Sequence, residues 1–451
     1  MWIKKQVWGL FCPLFLMLTV SVQSVCAAQL TVLQPEVSSQ ENFVDPAANI
    51  SLYAAAAVLL DADSGRVLYG KNADTPMAMA STTKIMTCIQ VLEHASLDET
   101  LTVSAYAASM PQVKLYIKKG EEYTVRDLLY SLMLESHNDS AVALAEHVGH
   151  KLLSEELRGK AVSEYTVEES RQAVAAFAGL MNAKAQELGC TNTWFITPNG
   201  LDATEVIELP DGQQVQKEHC TTAAELARIM AYCIMESEQR ESFLAITRTP
   251  NYSFYSNGRS FSCANHNAFL NMMDGALSGK TGFTNKAGYC YVGALESQGR
   301  TFVVALLACG WPNNKTYKWS DTRELMQYGI ENYFYRSFTE EGTAFDESRL
   351  NAIPVLEGQT DILGDTAYTA VAVEGRSEST KLLLREDEKI LVEYTVADYL
   401  TAPVIDGTRV GIIEYSVDGV IYRREAIVTT DAVERIDLQW CVRQVLKRFL
   451  L

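Results

Sequence analysis

Apolar residues run unbroken from Ala54 to Leu60, and a second short run, Arg66–Gly70, follows Asp63-Ser64-Gly65. Two such runs around a glycine-bearing turn predict a β-hairpin. Behind Ser81, Ile85, Met86, Ile89 and Leu92 recur at helical spacing, which predicts a helix. Residues 100–200 read as mostly helical. Thr124–Leu134, Ser140–Val148 and Gln172–Leu188 carry helical apolar spacing, and Gly189 supplies a stop. Trp194–Leu201 leaves helix for strand and turn, residues 202–218 read as a polar exposed insertion, and Thr221–Met235 returns to helix with Thr221 or Thr222 as cap. From Leu277 the pattern changes to strands: Leu277–Thr284, Tyr289–Leu295 and Thr301–Cys309, with short turns between them. That order predicts an antiparallel meander, and Arg323–Tyr335 predicts a closing helix. Early strands, a helical middle and late strands predict an α+β fold, an antiparallel sheet whose two chain ends pair, flanked by helices.

The two ends of the chain differ from this middle. Lys4 and Lys5, an apolar run from Val7 to Val20 and the small residues at Cys26-Ala27 read as a secretory signal over residues 1–28. The run is shorter than the roughly 20 residues a membrane span needs. Residues 29–50 are polar and unpatterned, a linker. The first folded portion spans residues 51–340. Beyond 345 the chain turns β-rich, with Lys381–Val396, Val410–Thr429 and a tight turn at Asp418-Gly419, so residues 345–432 read as a small all-β domain. In residues 433–451, Leu438, Val442, Val445 and Phe449 fall at helical spacing, joined by Trp440, Leu446 and Leu450, while Arg443, Lys447 and Arg448 decorate the rest. A short basic amphipathic helix with a tryptophan predicts contact with a membrane surface.

Composition narrows the classes. The chain has 451 residues, 48% hydrophobic and 21% charged, as in folded globular proteins. A formal net charge of -18 speaks against nucleic acid as a partner, since phosphate binding wants a basic face. No Cys-x-x-Cys spacing occurs among the ten cysteines, so neither a zinc site nor a redox motif is indicated. Most of the eight beyond the signal sit in apolar surroundings and read as small hydrophobes. His147 and His150 share helical spacing near a helix end, but no acidic or cysteine partners cluster with them, so no metal or cofactor is called for.

Three short motifs carry the chemistry. Ser81-Thr82-Thr83-Lys84 puts a serine and a lysine on one helical face, and a neutral lysine beside a serine is a base and nucleophile pair. Ser136-His137-Asn138 follows between helical stretches, and Lys280-Thr281-Gly282 opens the first late strand. Ser-x-x-Lys, Ser-Asp-Asn and Lys-Thr-Gly in that order are the signature of penicillin-recognising serine enzymes, and His137 is the departure from it here. Further residues carry the likeness: Asn138 through Glu146, Met181-Asn182 through Gly189, Thr193 to Leu201, and Phe283-Thr284 through Tyr289. The chain therefore resembles the low-molecular-mass penicillin-binding proteins that act as D-alanyl-D-alanine carboxypeptidases.

The resemblance implies a penicillin-binding/β-lactamase-like transpeptidase domain with a helical subdomain, followed by the small β domain and tail. It implies catalysis by Ser81 as nucleophile, Lys84 as base and Ser136 as proton donor to the leaving amine. Asn138 would hold Lys84 and the substrate amide, and Lys280 and Thr281 the substrate's terminal carboxylate. Gly282 would let the peptide approach, and Phe283 would lend its N–H, with that of Ser81, to the oxyanion. Lys280 is expected to keep Lys84 neutral by repulsion. The implied partners are a peptidoglycan stem peptide ending in D-Ala-D-Ala, β-lactam antibiotics as covalent inhibitors, and a membrane surface, outside the cytoplasm. His137 stands where relatives often carry glycine, and is read as lining the cleft rim or tuning Ser136. His266, in Asn265-His266-Asn267, is read as a loop histidine or a weak carboxylate contact. A β-lactamase shares all three motifs, but no Glu-x-x-x-Asn lies between Asn138 and Lys280. A D,D-transpeptidase shares them too, because they do not choose between water and an amine as acceptor. A non-catalytic wall-binding scaffold is the reading from another class; the full set of catalytic side chains speaks against it.

Overall fold

A computed structural model describes residues 50–208, 211–338, 344–374 and 381–449. The expected signal and nearly all of the expected linker lie outside the described residues. The first hairpin is β1 (Ala56–Asp61) and β2 (Val67–Lys71). The helical middle includes α1 (Lys84–His94), α2 (Asn138–His150) and α3 (Val167–Glu187). Next come a two-stranded hairpin, β3 (Thr204–Glu208) and β4 (Gln214–Glu218), and helix α4 (Ala223–Ala231). The meander is β5 (Ala276–Thr284), β6 (Gly288–Ser297) and β7 (Arg300–Leu307), and helix α5 (Tyr317–Asn332) closes it.

The five long strands form one antiparallel sheet in the order β2-β1-β7-β6-β5. The chain ends pair as the strand pattern predicts, Ala56 opposite Leu307 and Leu60 opposite Val303. The unbroken apolar run of β1 has a physical reason: both faces of the sheet are covered. Ala56, Val58 and Leu60 join the core shared with α1 and α2, whereas Ala57 and Leu59 face the other way, toward Leu325 and Met326 of α5. Strand β5 is one of the sheet's two edges, opposite β2, and it carries Lys280-Thr281-Gly282.

Several elements depart from the pattern reading. Helix α3 starts at Val167, earlier than the apolar spacing shows, because Thr166 and Glu169 form a reciprocal capping box. The stretch 202–218 is exposed as expected but forms the β3–β4 hairpin, its residues alternating between exposed and half-buried. Thr222, not Thr221, is the cap of α4, accepting from the Glu225 N–H. Helix α5 ends at Asn332, and the chain continues as β8 (Phe334–Ser337), which pairs with β9 (Lys381–Leu384). Beyond it lie β10 (Leu391–Val396), β11 (Arg409–Val417) and β12 (Val420–Thr429), with positive φ at both Asp418 and Gly419 in the β11–β12 turn. Arg66, in the β1–β2 turn, reaches this β-rich region and pairs with the buried Glu388 carboxylate at 2.5 Å.

The final helix is α6 (Leu438–Phe449). Trp440 does not join its outward apolar face. It is 7% exposed and its indole N–H donates to Thr360 O at 3.2 Å, with Gln444 donating to the same carbonyl. Leu438 and Phe449 remain 81% and 84% exposed, with Val442, Val445 and Leu446 about half exposed.

Candidate active site

The turn that carries Ser81 comes first. Ala80–Thr83 form a 3-10 turn before α1 starts at Lys84, so Ser81 sits ahead of the α-helix rather than within it. Ala80 takes a left-handed backbone, φ 48°, which a non-glycine residue holds only when its surroundings fix it. Three contacts do so. The Thr83 hydroxyl donates to Ala80 O at 2.8 Å. Gly200, at φ 83°, lies so close that a Cβ there would stand 2.0 Å from Ala80 O. A Cβ on Gly282 would stand 2.9 Å from Ser81 N, so the third motif's glycine lets β5 press against the serine's own backbone.

His219, absent from the sequence argument, steadies this turn. Its Nδ1 accepts the Ile196 N–H at 3.0 Å. The ring proton therefore lies on Nε2, which donates to Thr83 Oγ1 at 2.8 Å. Burial pushes its pKa down to about 3, so the ring is neutral and the tautomer fixed.

Lys84 is 0% exposed. Its Nζ lies 2.8 Å from Ser81 Oγ and donates to Asn138 Oδ1 at 2.9 Å and to the Asn199 carbonyl at 2.6 Å. Burial holds its pKa well below the ordinary lysine value, and the charge of Lys280 adds to the effect. Repulsion by Lys280 was the expected cause; desolvation is the larger one.

The second motif reaches the site through strain. Ser136 follows a wide turn at Ser131–Glu135 and adopts φ 65°, ψ 32°. This swings its hydroxyl to Lys280 Nζ, 3.0 Å away. Asn138 opens α2; its N–H donates to Val113 O at 2.7 Å and its side-chain amide to Pro111 O and Gln112 O. Asp139 accepts from the Leu115 and Ile117 N–H groups. One helix start thus aims an amide at Lys84 and anchors the loop above it.

Lys280 is 3% exposed, and its Nζ also donates to Thr281 O at 2.9 Å. Burial pushes its pKa down to about 7. Thr281 and Phe283 lie at the cleft edge, partly open, and the Phe283 ring packs 4.7 Å from Tyr289. Ser81, Lys84, Ser136, Asn138 and Lys280 therefore form one linked cluster, with Thr281, Gly282 and Phe283 along its β5 wall.

The histidines stand apart from it. His137 is buried and its Nδ1 faces Ser131 Oγ at 2.8 Å. His266 pairs with Glu135 at 2.7 Å. His147 meets Glu99, and His150 meets the Tyr165 hydroxyl. The eight cysteines beyond residue 26 are free thiols, six of them buried. Two site groups escaped the sequence argument, the Asn199 carbonyl and His219. Asn199 lay within the Thr193–Leu201 block that carried the family likeness, which was its only signal; His219 had none.

Comparison with known proteins places this geometry. A family profile described as D-alanyl-D-alanine carboxypeptidase matches residues 41–152 and 170–308, more than half of the chain. The chain is 24% identical over 394 residues to the D-alanyl-D-alanine carboxypeptidase DacF of Bacillus subtilis, covering 85% of this chain and 86% of that one. The solved structure of a D-alanyl-D-alanine carboxypeptidase from Mycobacterium tuberculosis superposes with a TM-score of 0.50 at 28% identity, covering 66% of this chain and 96% of that one. The structure of DacD from Francisella tularensis shares the fold over 88% of this chain and 97% of its own, with a TM-score of 0.59 and 22% identity.

Proposed function

Because this chain belongs to the D-alanyl-D-alanine carboxypeptidase family, we propose that Ser81 is the nucleophile of a serine peptidase that trims the terminal D-alanine from peptidoglycan stem pentapeptides. The observation that carries this reading is the buried Lys84 amine 2.8 Å from Ser81 Oγ, held by two fixed acceptors, with its pKa driven down. An amine neutral at physiological pH takes the serine proton as Ser81 Oγ attacks the penultimate D-alanine carbonyl. The N–H groups of Ser81 and Phe283 receive the oxyanion, a contribution of about 3 kcal/mol in comparable sites. Ser136, in contact with Lys280, passes a proton to the departing D-alanine amine as the C–N bond breaks. Lys280 and Thr281 grip the free carboxylate, one by charge and one by hydroxyl. Asn138 steadies Lys84 and the substrate amide. Water then attacks the acyl-enzyme and frees Ser81.

β-Lactams present the same acyl group in a strained ring and acylate the same serine. Residues 51–340 carry the catalysis, and residues 345–432 form a β domain that holds it above the membrane. The protein is exported by its first 28 residues and acts at the outer face of the cytoplasmic membrane. The exposed apolar side chains of α6 beside Arg443, Lys447 and Arg448 support seating of residues 433–451 in the interface.

The test is mass spectrometry of stem pentapeptide incubated with the purified protein. Release of D-alanine that disappears in Ser81→Ala is expected. Rapid turnover of penicillin without D-alanine release would make the protein a β-lactamase instead, and transfer of the acyl group to an added amine would make it a transpeptidase.

A further inference from the structure

A groove of about 1150 Å³ runs between α3 and the segment 194–205. None of the proposed catalytic side chains lines it, yet Asn199, whose carbonyl touches Lys84, does. Asn199 gives its carbonyl to Lys84, while its side-chain amide lies 3.8 Å from Met110 Sδ. The groove therefore begins on the other side of a residue that touches Lys84. Its volume exceeds the roughly 300–1,000 Å³ typical of small-ligand pockets, and it has room for more than a terminal dipeptide.

Its walls are chemically mixed. On one side the Trp194 indole donates to Glu205 Oε1 at 2.7 Å, with Lys217 Nζ 5.2 Å from the ring centroid. On the other, Arg171 of α3 lies 6.0 Å from the Tyr106 ring and has no carboxylate partner among the described residues. Between them the exposed face of α3 is bare, with Ala175, Gly179 and Ala183 where surface helices ordinarily carry polar side chains. Gly179 is helical, and a Cβ there would meet nothing within 4 Å. Neither packing nor backbone geometry asks for glycine, the poorest helix former after proline. A side chain at that position would project into the groove.

We propose that this groove is a subsite for the part of the wall strand that precedes the scissile bond, the acidic stem peptide and the acetamido sugar that carries it. The inference rests on the carboxypeptidase reading. Lys280 and Thr281 hold the leaving end of the substrate, so the acyl part retained on Ser81 leaves the slot away from them, and Asn199 opens onto the groove. On a chain of net charge -18 an anionic peptide needs a local cation, and Arg171 supplies one for a stem carboxylate. Trp194 offers an aromatic face to the sugar.

The test compares two substrates, a diacetylated tripeptide ending in D-Ala-D-Ala, which fills only the catalytic slot, and a disaccharide pentapeptide. A Cβ at Gly179 meets nothing within 4 Å, so Gly179→Leu projects its side chain into the groove; a thermal melt checks that the variant is folded. In Gly179→Leu and in Arg171→Glu, kcat/KM for the tripeptide stays within about twofold, whereas for the disaccharide pentapeptide it falls about tenfold or more, through KM. Equal effects on both substrates, or none on either, would overturn the subsite and leave the carboxypeptidase reading intact. Failure of the unsubstituted enzyme to cleave either substrate would sink that reading itself.

Discussion

Two lysines share the cleft with different tasks, and burial sets both. On the proposed mechanism, Lys84 has to be neutral to accept a proton, and Lys280 has to be charged to hold a carboxylate. With its pKa pushed down to about 7, Lys280 is an ammonium below that pH and an amine above it. Binding of a peptide with a free terminal carboxylate should therefore weaken as pH rises through about 7. KM for the stem pentapeptide, followed between about pH 6 and pH 9, is expected to rise on the alkaline side; a flat profile would assign the carboxylate to another group. At this scale the motif residues were legible, because Ser-x-x-Lys and its two companions are local in sequence and chemically specific. Asn199 was not, since a backbone carbonyl 115 residues from Lys84 leaves no trace in residue type. His219 escaped because its partners, Thr83 and Ile196, lie far from it along the chain. His266 drew interest as a possible carboxylate contact, and the structure gives it Glu135 instead.

Elements were legible where periodicity is long and one-sided, as in α1, α2, α3 and the three late strands. They were obscured where capping or pairing decides, as at Thr166, which starts α3 ahead of its apolar stripe, and in β3–β4, whose alternation is shallow because neither face is fully buried. Helix α2 carries a buried acid that pattern reading takes for an ordinary polar residue. Glu146 is fully buried; Oε1 accepts from Ser104 Oγ at 2.8 Å, and Oε2 has no partner among the described residues. Burial raises its pKa from 4.5 to about 7. The folded state then holds this proton more tightly than the unfolded chain. Stability from this group is fully present below about pH 4.5 and is lost as pH rises through about 7. Asp61, raised by burial to about 6, acts in the same direction. Denaturant titrations should show Glu146→Gln, which keeps the Ser104 contact, losing this slope and gaining on the order of 2 kcal/mol at pH 8. Parallel pH profiles for the two proteins would mean that Glu146 ionises in the fold as readily as in the unfolded chain.

Across the whole molecule, charge is unevenly placed. The chain carries a net -18, yet α6 presents Arg443, Lys447 and Arg448 beside exposed Val442, Val445, Leu446 and Phe449. Among the described residues no helix is long and apolar enough to cross a membrane. The protein lacking residues 1–28 is expected to float with anionic vesicles at low salt, to dissociate as salt screens the basic face, and to stay in solution without residues 433–451, with penicillin labelling unchanged. Flotation that survives removal of the tail would move the contact elsewhere. Fold class was readable at this scale because a sheet buried on both faces writes unbroken apolar strands. The seating of Trp440 was not, since a tryptophan on a short amphipathic helix serves protein and lipid equally well.

If Lys84 is an uncharged base beside Ser81, as proposed, acylation gains little from raising the pH above neutrality. Intact-mass measurement of penicillin acylation, with the adduct mapped by peptide digestion, is predicted to find it on Ser81 and already near its plateau rate at neutral pH. A rate that still climbs about tenfold per pH unit toward the ordinary lysine pKa of about 10.4, or an adduct on another residue, would contradict the account.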